Sequence, residues 1–168
     1  LNTAFYNELL HIIGLEEHKK DGKNVIERKP AARRNTYSLL ESTIYQLDDI
    51  SNEEEKFDIA LNLVITWVNR VLFLKLLESQ LISYHGRKSS DQYRFLDIHT
   101  IRSFDELNEL FFKVLAVPTN NRPSEIKDKF KNIPYLNSSL FERTENEQNH
   151  FRITELKPGS MPLFAQTR

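Results

Sequence analysis

Two carboxylates and a lysine near the N-terminus, Asp21, Glu27 and Lys29, have the residue types and order of a magnesium-dependent nuclease site. In such a site the carboxylates hold the metal ion and the lysine polarises the attacking water. The chemistry requires neighbouring strands that bring the two carboxylates together. The segment is short and polar and lies between two helical patterns, so the sequence predicts a solvated loop. We expect no Mg²⁺-dependent cutting that Glu27→Ala would abolish.

A second motif, Asn-Ile-Pro-Tyr at residues 132–135, is one residue away from Asn-Pro-Pro-Tyr. With that loop, amino-group DNA methyltransferases hold a flipped adenine, and the aromatic ring stacks on the base. Here isoleucine replaces the first proline, and the four glycines of the chain form no Gly-rich loop for S-adenosylmethionine. The sequence therefore predicts that Pro134 ends a short helix. We expect the side chains that follow to pack on the core, among them Tyr135, Leu136 and Phe141.

Seven basic side chains between residues 19 and 34 are the strongest indication of a partner. They are Lys19, Lys20, Lys23, Arg28, Lys29, Arg33 and Arg34. Such side chains neutralise DNA phosphates without reading the base sequence. The alternative is a solvated loop whose charges pair with acidic residues at 48–49 and 53–54. A weaker basic group follows at Arg87, Lys88 and Arg94.

The composition indicates no further site. The net charge is -1, which gives no overall electrostatic signature of nucleic-acid binding, and the absence of cysteine excludes disulfides and thiolate metal sites. The five histidines lack metal-ligand spacing, and no nucleophile elbow is present, so we expect no catalytic, metal-binding or cofactor-binding residues. No apolar run predicts a membrane span and no signal peptide precedes the first helix, so we expect a cytoplasmic protein.

The spacing of apolar residues predicts an all-α fold. A first helix covers Thr3 to Ile13 and stops at Gly14, and Asp21-Gly22 is a turn signal. Pro30 opens a second helix, which runs to about Leu47.

One long helix is expected to form the centre of the bundle. A capping box at Ser51 and Glu54 precedes an apolar stretch from Phe57 to Tyr84, and His85-Gly86 ends it. A second capping box, Ser103 with Glu106, opens a helix to about Val117, and Ser124 caps a short helix that ends near Asn132. The C-terminal tail reads as irregular, with one short strand at 151–156.

Two stretches resemble a known family. The first is Phe-Tyr-Asn-Glu-Leu-Leu-His-Ile-Ile-Gly-Leu-Glu-Glu at residues 5–17, and the second is Ile-Pro-Tyr-Leu-Asn-Ser-Ser-Leu-Phe-Glu at residues 133–142. They are similar to segments of bacterial type IIG restriction-modification enzymes, and residues 69–78 resemble the long connector helix of that family. Ser138-Ser139 replaces the Gly-Gly of the family, and serines at positive φ would be strained.

The resemblance implies a helical connector domain at 1–132 and a boundary segment at 133–168 that leads to a methyltransferase domain. In this family one polypeptide carries both activities. Its nuclease domain uses Mg²⁺, and its methyltransferase domain methylates adenine with S-adenosylmethionine. The partners would be the neighbouring nuclease and methyltransferase domains, and DNA through the parent enzyme. The chain begins with Leu1, so we expect a piece of a longer polypeptide that is not itself catalytic. The alternative is a free-standing helical module that binds another protein.

Overall fold

The computed structural model describes residues 2–86, 93–94, 96, 101–150 and 153. The chain is mostly helical, with one two-stranded sheet near the N-terminus. Its helices and strands are α1 (Thr3–Ile13), β1 (Leu15–Lys20), β2 (Lys23–Arg28), α2 (Leu39–Gln46), α3 (Glu53–His85), α4 (Phe104–Glu109), a π-helical segment (Leu110–Leu115), α5 (Ser124–Lys129) and α6 (Glu145–Asn149). The chain divides into two compact units. The N-terminal unit takes in the described residues up to Val64, and the C-terminal unit is Ile65–Leu156.

The first helix has the bounds that the sequence predicts. The Asn2 side chain caps its start by accepting a hydrogen bond from the Ala4 N–H. Gly14 ends it at a φ of 101°, and the Gly14 N–H donates to the Leu10 carbonyl. Leu10 and Ile13 are buried, so α1 contributes its C-terminal end to the core of the N-terminal unit.

Residues 15–28 form a β-hairpin, so the predicted solvated loop and the strictly all-α fold are both wrong. The strands β1 and β2 pair antiparallel, from Leu15 opposite Arg28 to Lys20 opposite Lys23. Lysine and glutamate have a low strand propensity, and they dominate this segment. Sequence patterning therefore misses a hairpin whose base is fixed by tertiary contacts.

The Asp21-Gly22 turn, in contrast, is confirmed. Asp21 has a φ of 51° and Gly22 a φ of 78°, which is the left-handed pair that a two-residue hairpin turn needs. Aspartate and glycine tolerate these angles better than other residues. The residue types thus predict the turn correctly, although they do not predict the strands on either side of it.

The second helix starts later than predicted. Pro30 precedes a 3₁₀ turn at Ala31–Arg33, and α2 begins only at Leu39. The Ser38 hydroxyl caps α2 by accepting from the Glu41 N–H at 3.4 Å. Ser38 is fully buried, so this cap belongs to the core of the N-terminal unit.

The long helix α3 is confirmed, and it spans 33 residues. Its cap is Asn52 and not the predicted Ser51, since the Asn52 side chain accepts from the N–H groups of Glu54 and Glu55 at 3.0 and 3.2 Å. Gly86, with a φ of 81°, follows the last helical residue as predicted.

By length and composition alone, α3 could cross a membrane. An 18-residue stretch of it has a mean hydropathy of 1.6, contrary to the expectation that no apolar run reaches this length. Of that stretch, 33% is buried inside the protein. The core helix of a soluble protein passes the same test, so length and composition do not assign α3 to a membrane.

The core of the C-terminal unit lies between α3 and the segments that follow it. Its buried members are Leu74, Leu107, Leu110, Phe111, Val114, Leu115, Ile126, Phe130, Ile133 and Phe141. Ser103 caps α4 as predicted, but the carboxylate of Glu106 accepts from the Arg102 N–H. The predicted single helix changes to π-helical geometry at Leu110, which the spacing of apolar residues did not indicate.

The remaining predictions for the C-terminal unit have mixed outcomes. Ser124 is the first residue of α5 and does not cap it, because Pro123 holds that position without a side-chain bond. Ser138 has a φ of -137°, so the serines that replace the Gly-Gly of the family bring no positive-φ strain at that residue. Within the predicted strand at 151–156, Ile153 is buried in a 3₁₀ turn, and the other residues lie outside the described part of the chain. The predicted boundary between 132 and 133 stays a prediction, although both sides of it contribute to one core.

Candidate functional site

The seven basic residues lie on the hairpin and the turn that follows it. Lys19 and Lys20 end β1, Lys23 begins β2, and Arg28 ends β2. Lys29 comes next, and Arg33 and Arg34 lie at the end of the 3₁₀ turn. The cluster therefore has two parts. We define the hairpin tip as residues 19–24 and the base as the paired residues Leu15 and Arg28 together with the turn that carries Arg33 and Arg34.

The three arginines at the base bind acidic groups of the N-terminal unit. Arg28 donates two hydrogen bonds to the Glu41 carboxylate, at 2.8 and 2.7 Å, and its guanidinium lies 5.7 Å from the centre of the Phe57 ring. The hydrogen bonds to Glu41 raise the pKa of Arg28 above its ordinary value, against the opposing effect of burial. The base of the hairpin is thus anchored to α2 by a charge-assisted pair.

The other two arginines are also engaged. Arg33 donates to Glu16 at 2.8 Å. Arg34 donates to the backbone carbonyl of Lys29 at 2.9 Å and lies 3.9 Å from a Glu41 oxygen. Of the acidic residues predicted as partners at 48–49 and 53–54, Glu53 acts on Arg28 through its charge, and the closest contacts of the arginines are instead with Glu16 and Glu41. Arg28, whose side chain is 19% exposed, is largely withdrawn from solvent, whereas the Arg33 side chain stays 64% exposed despite its bond to Glu16.

The lysines differ from the arginines. Lys20 lies 3.6 Å from Glu27, and its side chain is 62% exposed. The Lys29 ammonium lies 3.3 Å from Nδ1 of His11, which is exposed. Lys19 and Lys23 are exposed and have no carboxylate within 4 Å in the part of the chain that the structure describes. The uncompensated positive charge of the cluster therefore concentrates at the tip.

The nuclease-like residues are not brought together. Asp21 occupies the turn, and Glu27 lies four residues along β2 from Lys23, roughly 13 Å away at strand spacing. Glu27 instead contacts His18 and Lys20, each at 3.6 Å. Across the described ranges, no three His, Asp or Glu side chains are grouped closely enough to hold a metal ion. The strands that the motif needs are present, but their register separates its carboxylates.

The Asn-Ile-Pro-Tyr segment is held in the C-terminal core. Ile133 is buried, and its carbonyl accepts from Nη1 of Arg122 at 2.9 Å. The Leu136 N–H donates to the Leu115 carbonyl at 2.9 Å, and Phe141 is fully buried. Tyr135 is 38% exposed, and its hydroxyl donates to the Asn137 side chain at 3.1 Å. Packing of Leu136 and Phe141 is as predicted, whereas Tyr135 is only partly covered.

Arg122 itself is a buried cation that the sequence did not indicate. It is 3% exposed, and its Nε donates to the Val117 carbonyl at 3.1 Å. Its Nη2 has no hydrogen-bond partner among the described residues. Burial lowers the pKa of the Arg122 guanidinium below its ordinary value. Its two carbonyl contacts join Val117, two residues after the π-helical segment, to Ile133.

Sequence analysis also missed a buried ion pair between Arg70 and Glu147. Their side chains are 1% and 4% exposed, and two parallel bonds join them, including one from Nη2 at 2.9 Å. Arg70 also donates to the carbonyls of Leu140 and Glu142, at 2.6 and 2.7 Å. Its guanidinium lies 4.9 Å from the centre of the Phe112 ring. Every bonded nitrogen of this arginine thus holds the segment from 140 to 147 against α3.

Two signals for this pair are present in the sequence. Thr144 and Glu147 form a capping box at the start of α6, and its Thr-x-x-Glu pattern was overlooked. Arg70 falls on the apolar side of α3, between the buried residues Leu63 and Leu74. An arginine in such a position needs a buried partner, although the sequence does not name it.

A further charged cavity lies beside α3. It has a volume of about 470 Å³ and is lined by Lys75, Glu78, Ser79, Ile82 and Arg94. Glu78 is buried, and it accepts from the Leu96 N–H at 2.8 Å and from the Lys75 ammonium at 2.5 Å. Of the weaker basic group, Arg87 and Lys88 lie outside the described residues.

Comparison with known proteins finds one relation. A family model described as a domain of unknown function, DUF7814, matches residues 1–168. No curated protein and no solved structure matches the chain. Because the family match covers the chain from its first residue to its last, the protein belongs to the DUF7814 family.

Proposed function

We propose that this chain is the helical connector of a bacterial type IIG restriction-modification enzyme. Its task would be mechanical: it would hold a nuclease and an adenine methyltransferase domain in place within one polypeptide. Mg²⁺ and S-adenosylmethionine would act in those neighbouring domains, in the cytoplasm, and this chain would supply no catalytic group. The finer picture of a bundle around α3 is part of the same proposal.

The contact between two of the resembling stretches carries the proposal. Arg70 lies in the stretch similar to the connector helix, at 69–78, and Leu140 and Glu142 lie in the stretch similar to the segment before the methyltransferase. Arg70 donates to both carbonyls and is held by Glu147 in a buried pair. Because this contact fixes the boundary segment against α3, the chain that follows the boundary would continue in a defined direction. A connector needs such a direction if it is to position a catalytic domain.

An exposed apolar stripe on α3 is a second support. Ile65, Leu72 and Leu76 follow each other at spacings of seven and four residues, so they share one side of the helix. Leu76 is 65% exposed and Ile65 is 38% exposed, and Leu72 between them is partly buried, whereas Leu74 on the opposite side is fully buried. Exposed apolar side chains in a row are typical of surfaces that another protein surface covers. We assign this stripe to contact with a neighbouring domain.

The stripe leads to a direct test. Leu76→Glu should weaken binding of the chain to the separately produced methyltransferase domain of its own polypeptide by roughly 10- to 100-fold, because one leucine side chain would no longer be buried. Titration calorimetry would measure this change. The stability of the chain alone should change little, since Leu76 is largely exposed.

Tyr45→Glu is the matched control. Tyr45 is a helical residue with 85% exposure, and it belongs to α2 of the N-terminal unit, whereas the stripe belongs to the C-terminal unit. It should leave the affinity unchanged. Equal affinity of Leu76→Glu and the natural chain for the methyltransferase domain would contradict the assignment of the stripe.

The alternative is a free-standing helical module that binds a separate protein through the same stripe. The coding region distinguishes the two. A connector requires a longer reading frame that encodes Asn-Pro-Pro-Tyr downstream of residue 168 and a nuclease motif upstream. A reading frame without a methyltransferase motif would favour the interaction module.

A further inference from the structure

The hairpin tip carries positive charges that disfavour the pairing of β1 with β2. Lys20 lies directly opposite Lys23, and Lys19 is the next residue along β1. Like charges at directly opposed positions destabilise a strand pair, and a two-stranded hairpin has little stability to spare. Lys19 and Lys23 have no carboxylate within 4 Å among the described residues to offset this repulsion. Three lysines against one carboxylate, that of Asp21 in the turn, leave the tip basic at a cost to the local fold.

The base of the hairpin offsets this cost. Leu15 is buried, and Arg28 opposite it is held by two hydrogen bonds to Glu41. Arg28 therefore anchors the hairpin. Lys20 lies 3.6 Å from Glu27, whereas Lys19 and Lys23 have no ion pair among the described residues. The hairpin thus has a fixed base and a charged tip. A β-ribbon of this kind can present its tip to a partner while its base stays bound to the rest of the unit.

Protection of the open strand edges is the simplest other explanation for the lysines. Charged side chains, especially lysine, keep exposed edges from pairing with other chains. That explanation accounts for lysines along the edges, and it predicts aggregation when they are removed. It does not require the charge to concentrate at the turn, where three lysines fall within residues 19–23.

We propose that the hairpin tip contacts the phosphates of duplex DNA through Lys19, Lys20 and Lys23, without reading the base sequence. This inference rests on the proposed function, in which the parent enzyme acts on DNA. A two-stranded β-ribbon fits the major groove, which is about 12 Å wide. Consecutive strand residues point to opposite faces, so Lys19 and Lys20 extend from the two sides of the ribbon. Lysines on both faces can reach phosphates on both walls of the groove.

The test uses the full natural polypeptide and a duplex of random sequence. Binding is measured by fluorescence anisotropy at salt concentrations of about 50 to 200 mM. Lys19→Gln/Lys23→Gln should weaken binding roughly tenfold and make the slope of log K against log salt shallower by about 2, because two phosphate contacts are lost. These two lysines are chosen because neither has an ion pair, among the residues that the structure describes, whose loss would disturb the fold.

Two variants complete the design. Lys19→Arg/Lys23→Arg keeps the charge and should retain the natural slope. Lys113→Gln/Lys131→Gln removes the same charge from the C-terminal unit and should leave both affinity and slope near the natural values.

Three results would overturn the inference: no DNA binding at low salt, equal losses in the two glutamine variants, or tighter binding of duplex RNA than of duplex DNA. Aggregation of Lys19→Gln/Lys23→Gln with unchanged DNA affinity would assign the lysines to edge protection instead. The connector proposal is tested separately by the Leu76 variant and the reading frame. A failed DNA test with a positive Leu76 result would therefore remove only the phosphate contact.

Discussion

Replacing Arg70 with methionine is expected to lower the free energy of unfolding of the C-terminal unit by about 3–5 kcal/mol. The change leaves the Glu147 carboxylate, 4% exposed, buried without its cation. It also removes the hydrogen bonds to the carbonyls of Leu140 and Glu142. Chemical denaturation followed by circular dichroism would measure the loss, and hydrogen exchange should show early opening of residues 140–147.

Two controls isolate the buried charge as the cause. Arg70→Met/Glu147→Leu removes both charges and should recover part of the lost stability, because no buried charge then stays unpaired. The recovery is incomplete because Glu147→Leu also removes the capping bond from the Thr144 N–H. Lys113→Ala breaks an exposed pair with Glu109 and should cost no more than about 0.5 kcal/mol. A loss below about 1 kcal/mol for Arg70→Met would contradict the structural role of the pair.

Gly14→Ala is expected to lower the free energy of unfolding of the N-terminal unit by about 2–4 kcal/mol. Gly14 has a φ of 101°, where a side chain is strained. An added Cβ would also lie 2.5 Å from the Ser38 hydroxyl and 3.0 Å from the Ser38 Cβ. Ser38 is fully buried and caps α2, so it has little space to move. Thermal unfolding would measure the effect.

Gly86→Ala is the matched comparison for the backbone effect. Gly86 also has a positive φ, 81°, but no atom of the residues that the structure describes lies within 4 Å of an added Cβ. It should cost about 1 kcal/mol, which is the price of the left-handed backbone alone. Similar losses at both glycines would mean that the contact with Ser38 relaxes without cost.

Where structure depends on local preferences, the sequence was a sufficient guide. The bounds of α1, the extent of α3, the cap at Ser103 and the Asp21-Gly22 turn all follow from apolar spacing, capping and turn chemistry. Each of these features depends on residues that are near each other in the chain. The failures at Pro30 and Ser124 concern helix ends, where several nearby residues compete for the same cap.

The β-hairpin was missed because its stability does not come from its own residues. Its strands are rich in lysine and glutamate, which have a low strand propensity, so the sequence predicts a loop there. The pairing depends on Leu15, which is buried, and on Arg28, which binds Glu41 in α2. The fold also divides the candidate basic site. The sequence gives no reason to distinguish its seven cations, whereas the structure shows three arginines bonded to nearby acceptors and three lysines at the hairpin tip.

Composition and apolar spacing are sufficient to predict a mostly helical chain with one long apolar helix, a basic cluster at 19–34 and no disulfides. The pairing of Arg70 with Glu147, 77 residues away, and the separation of Asp21 from Glu27 on one hairpin follow from the fold and not from local sequence. The physical reason is that partners of buried charges and the register of strands are set by contacts between distant segments. Apolar periodicity reports which side of an element is covered, but it does not report what covers it.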